Sequence, residues 1–327
     1  MKVISTLCVT LLASSICLQS EGAIELNNYT LNFTAAAVAD GVAPGDLASL
    51  GISNLTNVDE WGFEARSFIG FTDGGVGGAG VISAGDTFKD YIAVQVTGFE
   101  PAGGGNITPL RYGGGVAGKT HELTALVEIS GVQLTNNTYA ITGLSRFDIY
   151  FDAGDSTDPS LGPTGGVDYA YTPADFSNLN TFDDGTLVES AGLVAGGGNN
   201  SGPVLPNGTI SLVLTLIDQI VGDTFEIDFL DQNGSPLAIG GLHLGLADAN
   251  NLLDNTTLVS AIATKFGFNP GVANSPPPGL YVGGDFDFGF ASSSEGSLNK
   301  VLIPEPTTFL VWSVLAMTAL SARRHRV

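Results

Sequence analysis

Short runs in which apolar and polar residues alternate recur along most of this chain, and they predict β-strands. Tyr29, Leu31 and Phe33 alternate near the start, Trp61 and Phe63 follow, and Ser67–Phe71 is a further short run. Ile92, Val94 and Val96 lie in a mainly apolar segment flanked by Phe88 and Phe99, and Leu123–Ile129 and Val132–Leu134 predict a strand or a bent pair. Phe147, Ile149 and Phe151 alternate with Asp148, Tyr150 and Asp152, so that strand carries an acidic face. The second half is more regular, with alternation at Ile210–Leu216, Phe225–Phe229, Leu242–Leu246 and Phe286–Phe290. Leu252–Phe266 has helical spacing instead, and residues 34–60 show no sustained helical period. Residues 153–185 read as a long loop with one helical turn near Pro173–Asn178, and residues 292–303 read as a polar linker. Period-two runs punctuated by Gly, Asn and Pro predict a mainly β protein: an antiparallel β-sandwich with long Gly/Asn-rich loops over residues 23–291. Two smaller β-domains split near 196–208 are the alternative.

Both ends depart from this pattern. Lys2 precedes an apolar core at Val3–Leu18 and small residues at Ser20 and Gly22, the layout of a secretory signal peptide over 1–22. The other end carries Pro304, Glu305 and Pro306, an apolar run over Thr307–Leu320, and then Arg323, Arg324 and Arg326. Arginines after an apolar segment hold that end on the cytoplasmic side. The run is shorter than the ~20 residues of a comfortable span, which suits a transient anchor.

The three parts of this tail, in order over 304–327, resemble the PEP-CTERM sorting domain: a Pro-Glu-Pro motif, a transmembrane sorting helix and an Arg-rich terminus. The resemblance implies an exported bacterial protein whose tail is recognised and cut near the motif by an exosortase-type membrane enzyme. It places the protein transiently in the cell envelope and then at the cell surface or in the extracellular matrix. Between Gly85 and Gly143, the runs GDTFKDYIAVQVTGFE and THELTALVEISG resemble flocculation-associated PEP-CTERM proteins, which help cells aggregate through exopolysaccharide.

Charge narrows the partners. The chain has 327 residues and a formal net charge of -22. Removing both end segments takes Glu21, Glu305, Lys2 and three arginines, so 33 acids become 31, 11 bases become 7, and the net charge becomes -24. Such a protein repels nucleic acid and anionic membranes, and it attracts divalent cations, basic partners or neutral polymers. Cys8 and Cys17 both lie in the removable leader, and Ile16 before Cys17 does not fit a lipoprotein signal. The mature chain therefore has no disulfide, thiol nucleophile or thiolate metal site.

Candidate chemistry is sparse. Gly113–Thr120 fits the phosphate-loop pattern, with Lys119 and Thr120 in the binding positions, but that chemistry needs a strand before the loop and a helix after it. Gly75, Gly77 and Gly80 fit a dinucleotide pattern only as any glycine-rich turn would. Asp152, Asp155 and Asp158, with Asp183 and Asp184, offer the hard oxygen ligands that calcium takes, although neither run has the EF-hand spacing and solvated acids are the plainer reading. His121 and His243 are the mature imidazoles, and neither lies in a nucleophile elbow or a zinc-binding helix. These features predict a non-catalytic structural or adhesive protein associated with exopolysaccharide, with no cofactor other than possible calcium. A secreted glycan-active enzyme or glycan-binding module is the alternative.

Overall fold

The computed structural model describes residues 24–25, 29–42, 55–74, 77, 80–101, 119–155, 174–200, 208–219, 241–252, 255–274 and 279–302. The leader 1–22, the sorting tail 304–327 and the alternating run Phe225–Phe229 lie outside them. The chain opens with strands β1 (Ile24–Glu25) and β2 (Tyr29–Leu31), helix α1 (Thr34–Ala39) and strand β3 (Leu55–Val58). Five long strands follow: β4 (Glu60–Thr72), β5 (Thr87–Glu100), β6 (Lys119–Gln133), β7 (Thr138–Asp155) and, after the 3-10 turn η1 (Leu179–Phe182), β8 (Thr186–Asn200). Next come β9 (Gly208–Gln219), β10 (Gly241–Leu252) and helix α2 (Thr256–Phe266). Strands β11 (Val272–Asn274), β12 (Leu280–Val282) and β13 (Phe288–Leu302) complete the described chain.

The protein is mainly β and antiparallel. Strands β4 to β10 pair in sequence order, each with the next. β13 returns to lie between the two ends of this meander, pairing with β4 through Ser292↔Ser67 and with β10 through Leu244↔Leu298. The β10–β13 ladder closes the sheet, so β4 to β10 and β13 form an eight-stranded ring. Closure gives the backbone groups of both outer meander strands a ladder partner, which an open sheet would leave exposed. The expected sandwich-like core thus lies inside one continuous sheet.

Alternation decides which side chains enter the ring. Trp61, Phe63 and Phe71 of β4, Ile92, Val94 and Val96 of β5, Leu123, Ala125, Val127 and Ile129 of β6, and Phe147, Ile149 and Phe151 of β7 share one buried cluster. Leu212 and Leu214 of β9 and Phe288, Phe290 and Leu298 of β13 belong to it as well. Each large side chain buried this way contributes roughly 1.5–3 kcal/mol.

One end of the ring is plugged by the N-terminal segment. Phe33, fully buried, has its ring centroid 5.7 Å from Phe151, 6.1 Å from Phe99 and 6.2 Å from Trp61. At the other end, the turn over residues 80–86 brings Ile82 into the same core. Asp86 holds that turn, accepting from the N–H groups of Gly74 at 2.9 Å and Ser83 at 2.8 Å.

A second core lies outside the ring. Phe68 of β4, Tyr91 and Ala93 of β5, Leu126 of β6 and Ala291 of β13 face outward beneath α2 and η1, against Leu258, Val259, Ile262, Leu179 and Phe182. Burial on both faces explains the near-continuous apolar run Tyr91–Val96. Helix α2 starts at Asn255, whose side chain accepts from the Leu258 N–H at 3.0 Å, and stops at Gly267 in the left-handed conformation, φ 74°.

Several expectations are corrected. Residues 292–302 are not a linker: they form most of β13, paired on both sides. Their inward positions Ser292 and Ser294 are small and polar, so composition resembles a loop while the backbone completes the ring. The described residues on either side of the expected split near 196–208 belong to one sheet, because β8 and β9 pair directly from Asn200↔Gly208 to Glu189↔Gln219. The segment 34–60 contains the short helix α1, and the single helical turn lies at 179–182, just past the expected place. Among the described residues, no helix is long and apolar enough to cross a membrane.

Candidate functional site

The sorting residues Pro304, Glu305, Pro306, Arg323, Arg324 and Arg326 lie outside the described residues, as does Asp158. Asp155 ends β7. The phosphate-loop pattern runs directly into β6, which begins at Lys119, so the helix that such a loop must open is replaced by a strand. His121 is buried, its ring 5.9 Å from that of Phe151.

The structure separates the expected calcium candidates into two groups. Asp152 lies in register opposite Glu122 on β6 and shares a hydrogen bond with Asp40 from the plug. Asp40 also accepts from the Ala153 N–H at 2.6 Å and the Thr186 hydroxyl at 3.1 Å. A carboxyl–carboxyl hydrogen bond needs one partner to keep its proton. Burial accordingly raises the Asp40 pKa, against the pull of those hydrogen bonds, and the charge of Asp184 pushes it further up. Asp184 acts in the same direction on Glu122, whose pKa burial raises to about 7. Among the described residues, no group of three or more His, Cys, Asp or Glu side chains is placed to hold a metal ion.

Asp183 turns the other way and anchors the outer layer. It pairs with Lys265 of α2 and with Arg146 Nη2 of β7 at 3.4 Å. Arg146 Nε also donates to Asp148 at 2.9 Å, and Arg66 lies 5.0 Å from the ring centre of Phe176. The basic groups of this face are thereby matched with acids or laid on an aromatic surface.

Above this network, η1 and α2 border an open groove of about 450 Å³. Its lining is supplied by Ser177, Asn178 and Asn180 on one side and Thr257, Ser260 and Thr264 on the other. All six are exposed. Lys265 is the charged residue of the lining, and its ammonium is held by Asp183 and reaches Asn180 Oδ1 at 3.5 Å. The groove therefore presents uncharged hydroxyls and amides, able both to donate and to accept, in a strongly acidic protein. Sequence reading missed it because Ser-Asn-Leu-Asn and the polar side of α2 are far apart in the chain and each reads alone as an ordinary solvated surface. Compared with protein-family models, with curated proteins and with solved structures, the chain matches none of them.

Proposed function

We propose that this is an exported, non-catalytic protein of the cell surface or extracellular matrix, which associates with a neutral exopolysaccharide through the groove between η1 and α2. The observation that carries the reading is the groove's hydroxyl and amide lining, in which the single charge, Lys265, is paired with Asp183. A polyhydroxylated chain offers the complementary donors and acceptors, and it is indifferent to a net charge of -22, whereas anionic polymers are repelled. The PEP-CTERM-like tail supports the route: export, transient anchoring through the apolar run, and cleavage by an exosortase-type enzyme near Pro304–Pro306. On this reading the closed ring is the rigid carrier of the groove, and calcium has no required part.

Retention of the purified protein on the producing cells' own polysaccharide tests the groove. Ser260→Trp or Thr257→Trp fills it from an exposed helix position and is expected to weaken retention about tenfold or more, with the melting temperature within about 2 °C of the parent. Unchanged retention in both variants would sink the groove assignment, and release of reducing sugar would move the protein to the glycan-active class. Replacing Pro304, Glu305 and Pro306 together is expected to leave full-length protein in the membrane fraction; normal release of that variant would remove the sorting role.

A further inference from the structure

Inside the ring, at the end covered by Ile82, a second cavity of about 50 Å³ has no part in the outer groove. Its wall is mostly apolar and rich in aromatic rings: Phe71, Phe88, Phe290 and Tyr139, with Ile69 and Ile210. Phe71 lies 5.7 Å from Phe88 and 6.0 Å from Phe290, and Phe88 meets Tyr139 edge-on at 5.3 Å. The backbone makes room for these rings. A Cβ on Gly131 would strike the Phe88 ring, and one on Gly198 would strike the Tyr139 ring.

One charged group lines this cavity. Asp90 of β5 is 1% exposed and hydrogen-bonded to Ser67, and among the described residues its Oδ1 has no hydrogen-bond partner. The neighbouring polar atoms are already used. Gln133 Nε2 donates to Asn200 Oδ1 at 2.9 Å and to the Thr135 carbonyl at 2.7 Å, and the Tyr139 hydroxyl donates to the Thr209 carbonyl at 2.6 Å. A bare carboxylate oxygen facing an apolar cavity is a costly arrangement unless a guest completes it.

We propose that this cavity is a binding site for a small methylated ammonium ion, its N–H donating to Asp90 Oδ1 and its methyl groups packed among Phe71, Phe88, Phe290 and Tyr139. The chemistry selects that class. A cation complements the one carboxylate, and the faces of aromatic rings attract alkylammonium groups through their quadrupoles. A hydrated divalent metal needs six or more oxygen ligands, which this wall does not offer. The volume exceeds the roughly 10–15 Å³ that one water requires, and it is far too small for a sugar ring or nucleotide. At least one N–H must remain on the guest, so mono-, di- and trimethylammonium fit the site and a quaternary ion leaves Oδ1 unsatisfied.

Calorimetric titration of the purified protein at pH 8 with trimethylammonium, and with tert-butanol as a neutral guest of similar shape, tests this. Trimethylammonium is expected to bind and raise the melting temperature, and tert-butanol to do neither. Asp90→Asn is expected to weaken binding about tenfold or more, and Phe290→Leu several-fold. Should either variant fail to fold, the parent protein still decides. Burial holds the Asp90 pKa at about 7, and the one other titratable group facing it among the described residues is the Tyr139 phenol, itself held well above its ordinary value. A bound cation favours the carboxylate, so binding near pH 6.5 must release protons, visible as a heat that depends on the buffer's ionisation enthalpy. Absence of trimethylammonium binding, equal binding of tert-butanol, or binding without proton release would each overturn the assignment.

Discussion

Glu122 sits on the outer face of β6 at 1% exposure, with Oε2 accepting the Ala174 N–H at 3.1 Å and Oε1 without a hydrogen-bond partner. Burial is the main cause that raises its pKa to about 7; the Ala174 hydrogen bond opposes this and Asp184 adds to it. Between its unfolded value near 4.5 and about 7, the folded protein holds a proton that the unfolded chain releases, so this residue costs stability as pH rises through that window. Glu122→Gln keeps an acceptor for Ala174 and removes the charge. It is expected to match the parent at pH 4.5 and to be more stable by on the order of 2–3 kcal/mol at pH 8. Denaturant melts at the two pH values check this, and an equal difference at both would mean that the carboxyl is not the cause. Asp86 is the opposite kind of buried acid, with both oxygens engaged by the Gly74 and Ser83 N–H groups and the Ser83 hydroxyl. Asp86→Ala leaves the buried Ser83 N–H and hydroxyl without a partner and frees the exposed Gly74 N–H, at an expected cost of about 1–3 kcal/mol.

At the scale of elements, β13 closes the ring, and its sequence disguises it. Ser292, Ser294 and Gly296 occupy inward positions that the other strands fill with Phe, Val or Leu, so no apolar alternation marks the segment. Polar patterning identifies strands through the burial of large side chains, and it fails where the interior beside a strand is itself polar, as it is here around Ser67 and Asp90. Strands β6 and β9 were legible for the converse reason, each presenting an alternating apolar face to the core, and β5 does so from Ile92 to Val96. Helix α2 was legible from its period, although its true start at Asn255 was not, whereas the six residues of α1 are too few to show a period. The outer groove was illegible because its two borders meet only once the ring and the outer core have formed. Inserting one glycine between Gly296 and Ser297 tests the strand against the linker. In a linker the insertion is neutral; in β13 it shifts the register by one and turns Leu298 from the core toward the outside. The expected result is a melting temperature at least about 10 °C lower, or failure to fold, read by circular dichroism.

For the whole molecule, the buried carboxyls act together. Asp40, Asp90 and Glu122 all have raised pKa values with burial as the leading cause, the latter two reaching about 7. In each case the folded state binds protons more tightly than the unfolded chain, so the favourable contribution of the protonated form is fully present below the unfolded values near 4 and is lost as pH rises to about 7. The chain's net charge of -22 at pH 7 adds in the same direction, because self-repulsion grows as the remaining acids ionise. Stability is therefore expected to be highest at the acid end, near pH 4.5, and to fall by several kcal/mol toward pH 8, or about 10 °C in melting temperature. The trend opposes that of proteins whose acids are paired in salt bridges, which lose stability on acidification. A thermal scan from pH 4.5 to 8.5 at fixed ionic strength measures it, and a profile that is flat or rises with pH would contradict it. Adding Asp90→Asn and Glu122→Gln to one chain separates the two causes: the double variant removes two of the three titrating groups, so its profile should flatten by well over half, whereas a slope set by net charge alone would hardly change.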